Sequence, residues 1–176
     1  MRTFVFGTIF GVLAVAAAGY LYFSTGMVPV AVADPDMPFE KMLAHKALGT
    51  RIDKEMPKTV PTVDDEGLAL GVNLYKENCA VCHGLPGADE TKIARGMYPH
   101  PPQLFKGKGV TDDEAGETYW KVANGIRLTG MPGFKGRLSE TELWQVSLLL
   151  AKADKISEST KQLLSPSAPP VPVLHQ

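Results

Sequence analysis

The residues best suited to chemistry lie together in the stretch Cys79-Ala80-Val81-Cys82-His83. Two thiols separated by two residues and followed at once by an imidazole form the C-x-x-C-H signature of covalent c-type haem attachment. On one helical turn the two sulfurs project in nearby directions, so each can bond a vinyl-derived carbon of the same porphyrin. His83 then lies under the iron and can bind it as the proximal axial ligand. The motif predicts haem c, with its iron, as the cofactor.

Other uses of a cysteine pair fit this stretch less well. Structural zinc takes four Cys or His ligands, but Cys79 and Cys82 are the only cysteines in the chain. A thioredoxin-like redox pair needs a neighbouring βαβ pattern, and the sequence shows no convincing strands. A disulfide between the two cysteines would close a very small loop. Zinc, a redox pair and a disulfide stay as alternatives to a single haem.

Length and composition narrow the class of protein. With 176 residues, the chain can form one modest domain with extensions. Its net charge is −1 and 21% of its residues are charged, so no nucleic-acid partner is expected. The many prolines (14) and glycines (17) indicate long connections between the regular elements. Because no strand pattern is evident, the expected fold class is all-α.

The first 23 residues predict an N-terminal transmembrane anchor. Residues 3–23 carry no charge, which is enough apolar length to span a bilayer as one helix. Arg2 precedes this run, while Tyr20, Tyr22 and Phe23 lie at its far end, where an aromatic belt is expected. The basic N-terminus favours a single-pass protein of the cytoplasmic (inner) membrane with its remainder on the periplasmic side. A cleaved signal peptide ending near Ala31-Val32-Ala33 is the alternative.

Residues 24–61 are predicted to form a linker with one short helix. Pro29, Pro35 and Pro38 interrupt its beginning. Apolar spacing over residues 39–48 predicts a helix, and Gly49 is expected to end it. The segment could also dock on a partner subunit.

Residues 62–156 form the predicted haem domain, followed by a Pro-rich tail over residues 157–176. One helix is expected over residues 64–78, with acidic side chains at its start, and Gly71 inside it predicts a close helix crossing. A second helix is expected to be capped by Thr111, with Asp112, Asp113 and Glu114 in its first turn. A last helix is expected to begin at Ser139, with Glu142 completing a capping box.

Met131 is the best candidate for a sixth iron ligand. Gly130, Pro132 and Gly133 surround it, and a loop of such residues can approach a porphyrin face closely. Met97 and His100 are the alternatives. Met97 lacks the Gly-Met-Pro setting, and His100 lies between prolines in a loop. Ligation by His and Met favours the ferrous iron and fills both axial positions.

From these motifs in their order, residues 64–155 resemble a class I mono-haem c-type cytochrome. The matching elements are Gly71-x-x-x-Tyr75, the C-x-x-C-H motif, Pro102-Gln103-Leu104, Gly130-Met131-Pro132, and Trp144 in the last helix. The resemblance covers about half of the chain. It implies a small cytochrome c fold with the haem in a cleft, here preceded by the transmembrane helix.

Further contacts with the haem are expected, from the resemblance for Pro102 and from the residue types for Trp120 and Arg127. The carbonyl of Pro102 is expected to accept the Nδ1 hydrogen of His83, which would orient the ring. Gln103 departs from the Asn that the family often has next. Trp120 could donate to a haem propionate, or be part of the core. Arg127 is a candidate propionate partner because guanidinium matches carboxylates with two parallel donors, and a solvated surface role is its alternative.

The expected function is electron transfer and not catalysis, because a haem with both axial sites filled has no place for a substrate. The expected partners are the membrane and redox proteins that donate and accept the electron, and no small-molecule substrate. The first alternative is a fixed cytochrome c subunit of a membrane dehydrogenase or terminal oxidase. The second is a haem enzyme or ligand sensor, which would need an open or displaceable sixth position.

Overall fold

A computed structural model describes residues 1–105 and 113–170. Within these ranges the chain contains helices and two isolated bridge pairs but no β-strand, so the expected all-α class is confirmed. The helices are α1 Arg2–Ser24, α2 Glu40–Glu55, α3 Asp65–Asn78, α4 Ala80–His83, α5 Lys92–Arg95, α6 Ala115–Asn124, α7 Glu140–Ala151 and α8 Glu158–Leu163. The chain divides into two compact units, residues 1–45 and residues 46–176.

The first unit consists mainly of α1, whose 23 residues are all exposed. The helix is long and apolar enough to cross a membrane. Leaving so many large apolar side chains in water would be costly, at roughly 25 cal/mol for each Å² of apolar surface. The prediction of one N-terminal helix of membrane-spanning length is therefore confirmed.

The helix α2 extends further than its sequence predicts. It passes through Gly49 and continues to Glu55, so the predicted stop at Gly49 is wrong. A glycine inside a helix costs only about 1 kcal/mol relative to alanine. One tertiary and one local interaction support the extra turns. Ile52 is buried in the folded protein, and Arg51 forms an ion pair with Glu55 one turn later (2.5 Å).

In the second unit, α3 and α7 begin where the sequence predicts. Asp64 is the N-cap of α3, and its Oδ1 accepts a hydrogen bond from the backbone N–H of Gly67 (2.9 Å). Ser139 and Glu142 form the expected capping box of α7. Both helix starts depend on contacts within one turn of the chain, which is why the sequence indicates them.

The two helices cross with almost no space between their backbones at Gly71. A Cβ at this position would lie 2.7 Å from the carbonyl oxygen of Gln145 in α7, well inside ordinary van der Waals contact. The predicted role of Gly71 in a close helix crossing is confirmed. The crossing lets the apolar faces of α3 and α7 meet over their length.

A single core fills the space between α3, α6 and α7. Trp144 stacks on Tyr119 of α6, with ring centroids 4.2 Å apart and planes 26° from parallel. The buried apolar residues of this core are Leu68, Val72, Tyr75, Ala80, Val122, Ala123, Phe134, Leu143, Trp144, Val146, Leu148, Leu149, Leu150, Ile156 and Leu164.

The helix α6 begins later than predicted. Its first residue is Ala115 and its N-cap is Glu114, so neither Asp113 nor Glu114 belongs to the first turn. Thr111, the expected cap, lies outside the described residues. Asp113 instead accepts a hydrogen bond from the Lys121 ammonium (2.8 Å). It therefore interacts with the last turn of α6 from outside the helix.

The segment predicted as a Pro-rich C-terminal tail, residues 157–176, begins with a short helix. Ser157 caps α8, and Leu164 is almost completely buried. The Lys76 ammonium of α3 donates to the carbonyl oxygens of Leu163 (3.2 Å), Ser165 (3.2 Å) and Ala168 (2.8 Å). These long-range contacts hold residues 157–168 against α3; residues 171–176 lie outside the described ranges.

Replacing Gly71 with alanine is expected to destabilise the second unit. The new Cβ would meet backbone atoms, which cannot rotate away, so α3 and α7 must separate. Overpacking of this kind costs about 1–3 kcal/mol, more than the gain of about 1 kcal/mol in helix propensity. Denaturant unfolding of the full chain in detergent measures the loss.

Gly49→Ala is the matched control, because Gly49 also lies inside a helix but a Cβ there meets nothing within 4 Å. Its free energy of unfolding should stay the same or rise by up to about 1 kcal/mol. An equal loss of stability in both variants would contradict the close crossing as the cause.

Candidate haem-binding site

The C-x-x-C-H stretch, residues 79–83, forms a short helical turn directly after α3, hereafter the attachment turn. Cys79 ends α3, its N–H donating to the carbonyl of Tyr75 (2.8 Å), and α4 then carries the motif to His83, whose N–H donates to the carbonyl of Cys79 (2.9 Å). On such a turn, residues three apart lie on neighbouring positions of one face. The backbone therefore presents Cys79 and Cys82 in the relation that attachment to one porphyrin requires.

The two thiols are free and partly buried. Burial raises the pKa of the Cys79 thiol to about 12, and the neighbouring Cys82 adds to the rise. The described residues contain no group of three or more His, Cys, Asp or Glu side chains that could hold a metal ion. A zinc site at this turn thus lacks the additional ligands it would need.

The His83 ring is held in the form that an iron ligand requires. Its Nδ1 lies 2.8 Å from the carbonyl oxygen of Pro102, and because a carbonyl can only accept, Nδ1 carries the proton and Nε2 keeps its lone pair. Burial lowers the pKa of His83, although the bond to Pro102 acts in the opposite direction. A neutral, oriented imidazole next to two thiols fits covalent haem c.

Gln103 makes a second connection that the sequence reading missed. Its side-chain amide donates to the carbonyl of Cys82 (3.1 Å), and the next residue, Leu104, donates its N–H to the carbonyl of His83 (3.4 Å). Gly84, at φ +72°, leaves room for Gln103, since a Cβ there would collide with the amide oxygen. The polar amide directly after Pro102 was the signal that could have indicated this role.

Tyr75 connects α3 to the same turn from the inside. Its side chain is fully buried, and its hydroxyl donates to the carbonyl of Gly84 (2.7 Å). The ring meets Phe105 edge to face, with centroids 5.0 Å apart. Burial raises the pKa of Tyr75, so the phenol stays a donor. Tyr75 thus fixes the residue that directly follows His83.

Met131 lies half-buried on a loop, residues 125–134 (the Met131 loop), that packs against the end of α6. Gly125 ends this helix at φ +69°, and a Cβ there would lie 2.5–2.7 Å from backbone atoms of residues 131–133. A Cβ on Gly133 would lie 2.7 Å from the backbone of Asn124. Further on, the N–H of Phe134 donates to the carbonyl of Val122 (3.0 Å). Only glycines permit so close an approach, which agrees with the predicted Gly-rich loop.

Hydrogen bonds inside this loop hold Met131 in place. The N–H of Ile126 donates to the carbonyl of Met131 (3.2 Å). The hydroxyl of Thr129 donates to the carbonyl of Ile126 (2.7 Å) and accepts from the N–H of Met131 (3.2 Å). Such a loop can present a thioether in one orientation, although iron ligation by Met131 stays a prediction.

The two other candidates for the sixth position have different surroundings. Met97 is half-buried, and its methyl group lies against Gly130, one residue before Met131. His100 is largely exposed and pairs through Nε2 with the Glu90 carboxylate. One of its two ring nitrogens therefore faces a carboxylate.

The two expected propionate partners, Trp120 and Arg127, have different surroundings. The ring N–H of Trp120 donates to the Glu55 carboxylate at the end of α2 (3.2 Å), a partner that the sequence did not indicate. Arg127 is exposed in the loop before Met131. Contact of either side chain with a haem propionate stays a prediction, and for Trp120 it would require exchange of the Glu55 bond.

The comparison with protein families agrees with this geometry. Residues 66–148 match the model of the family described as "Cytochrome C oxidase, cbb3-type, subunit III". The matched range begins in α3 and ends in α7, so it contains the attachment turn, the Pro102 segment and the Met131 loop. No curated protein and no solved structure gives a significant match to the chain.

Replacing Tyr75 with phenylalanine is expected to weaken both the fold and the attachment turn. The buried carbonyl of Gly84 would lose its donor, which costs about 1–3 kcal/mol. Unfolding of the full chain in detergent, followed by tryptophan fluorescence, measures the loss. Tyr119→Phe, which keeps the ring stacked on Trp144, is the control and should change stability less; the opposite order of effects would contradict the role of the Tyr75 hydroxyl.

Proposed function

We propose that this chain, whose residues 66–148 match a c-type cytochrome family, transfers single electrons through one haem c bound to Cys79, Cys82 and His83. The observation that carries the proposal is the hydrogen bond from His83 Nδ1 to the Pro102 carbonyl (2.8 Å), next to two free cysteines. When bound, the haem supplies the one-electron chemistry, while the protein supplies ligands, burial and orientation.

Met131 completes the proposed coordination as the sixth ligand. Its loop is held by hydrogen bonds and by close backbone contacts at Gly125 and Gly133, so it can keep a thioether in one position. Ligation by His and Met raises the reduction potential and leaves no axial site for a substrate. This supports an electron carrier over a haem enzyme or a gas sensor.

The proposed location is the periplasmic side of the cytoplasmic membrane, with α1 as an uncleaved single-pass anchor. The helix has the required length and apolar character, and Arg2 on its N-terminal side favours retention of that end in the cytoplasm. An anchored carrier meets its redox partners in or on the same membrane, where two-dimensional confinement raises their effective concentration.

A fixed subunit of a membrane oxidase is the second candidate. The family that residues 66–148 match is named for an oxidase subunit, and an anchored haem domain suits a permanent complex as well as a tethered carrier. The two functions share the haem chemistry and differ in whether the chain stays bound to larger redox subunits.

Met131→Ala is expected to remove the weak absorption band that a Met–Fe(III) bond gives in the near infrared. The midpoint potential should also fall, because a thioether ligand raises it, and the ferrous protein should then bind carbon monoxide at the vacated position. Spectroscopy and redox titration of the purified full chain in detergent measure the three effects.

Met42→Ala is the control, since Met42 is exposed on α2, and it should leave band and potential unchanged. If the band persists in Met131→Ala, Met131 is not the ligand, and Met97 becomes the candidate to test.

Affinity purification of the tagged full chain from solubilised membranes is expected to separate the two functions. A tethered carrier should run as one haem-staining band of its own size, because rapid electron exchange uses small, weak interfaces. Stable co-purification of larger haem- or copper-containing subunits would instead support the oxidase subunit.

A further inference from the structure

A contact between Met97 and Gly130 joins two parts of the haem domain that are far apart in sequence. The Cε of Met97 lies 2.9 Å from the position that a Cβ of Gly130 would occupy. Gly130 has φ +79°, so it is both the residue that leaves this space open and the one that directs the chain into Met131. The methyl group of Met97 therefore covers the backbone directly before Met131.

A series of hydrogen bonds connects Met97 to the attachment turn. The hydroxyl of Thr91 donates to the carbonyl of Val81, one of the two residues between the cysteines (2.6 Å), and accepts from the N–H of Ala94 (3.0 Å). Ala94 is completely buried, and its carbonyl accepts from the N–H of Met97 (3.2 Å). Residues 91–97, which include α5, thus form a connection from the attachment turn to the Met131 loop, hereafter the α5 connection.

We propose that Met97 is a positioning residue for Met131. Its contact with Gly130 keeps the Met131 loop in place, and the α5 connection joins that loop to the attachment turn. The proposal rests on the proposed ligation of the iron by His83 and Met131. An unbranched thioether side chain suits the role, because it fills irregular gaps next to backbone at little cost. Loss of the contact should therefore loosen the sixth ligand without removing it.

Met97→Ala and Met97→Leu separate the contact from the sulfur. Alanine removes the atoms that touch Gly130, whereas leucine keeps a side chain of similar volume but has no sulfur. Ile93→Ala, an exposed residue of α5, is the matched control. For each full-length protein in detergent, the Met–Fe(III) band, the midpoint potential and carbon monoxide binding to the ferrous protein are measured.

The proposal expects Met97→Ala to show a partial loss of the band, a lower potential and new carbon monoxide binding. Met97→Leu should stay close to the unchanged protein, and Ile93→Ala should match it. If Met97→Ala does not accumulate with haem, Met97→Val replaces it, because the valine side chain ends at Cγ and is too short to reach Gly130, whereas leucine extends one bond further.

Two results would overturn the proposal in distinguishable ways. If Met97→Ala keeps the full band and excludes carbon monoxide while Met131→Ala loses the band, Met97 has no positioning role and the ligation by Met131 stands. If Met97→Leu loses the band while Met131→Ala keeps it, Met97 is itself the ligand, and the proposed ligation by Met131 fails as well.

Discussion

The close contact between α3 and α7 at Gly71 is the constraint on which the second unit depends. Because the backbones approach to a distance that excludes even one methyl group, the direction of α3 is set by α7, and the attachment turn simply continues from the end of α3. The same helix, α7, packs through Trp144 on Tyr119 of α6, and the end of α6 is fastened to the Met131 loop. One helix therefore determines the relation between the two sides of the candidate haem site.

Further hydrogen bonds hold the attachment turn itself. The Pro102 carbonyl orients His83, the Gln103 amide holds the carbonyl of Cys82, and the Tyr75 hydroxyl holds Gly84. All three act on the backbone or ring of the attachment turn, which explains how a four-residue helix keeps one geometry. An electron carrier benefits from such rigidity, since a site that changes little between oxidation states needs little rearrangement when an electron enters or leaves.

The parts of the molecule that the sequence predicted well are those specified by neighbours in the chain. Asp64 and the pair Ser139 and Glu142 cap helices through contacts within one turn, and α1 is identified by its apolar length. The end of α2 and the start of α6 were misplaced, because Ile52 gains stability from burial in the folded unit and Asp113 pairs with Lys121. Likewise, the Lys76 ammonium donates to three carbonyl oxygens of the C-terminal segment, which composition alone predicts only as a Pro-rich tail.

By itself, the sequence determined the helical class, the N-terminal apolar helix and the one turn able to attach a haem, since each depends on residue types at fixed short spacing. The tertiary structure decided which groups meet that turn: Gln103 on Cys82, Glu55 on Trp120, and Met97 on Gly130. None of these pairs has a spacing rule, because each depends on how far two separate segments approach when the core closes. The sequence indicates which side chains can bind a haem, and the packing of α3, α6 and α7 determines which of them come together.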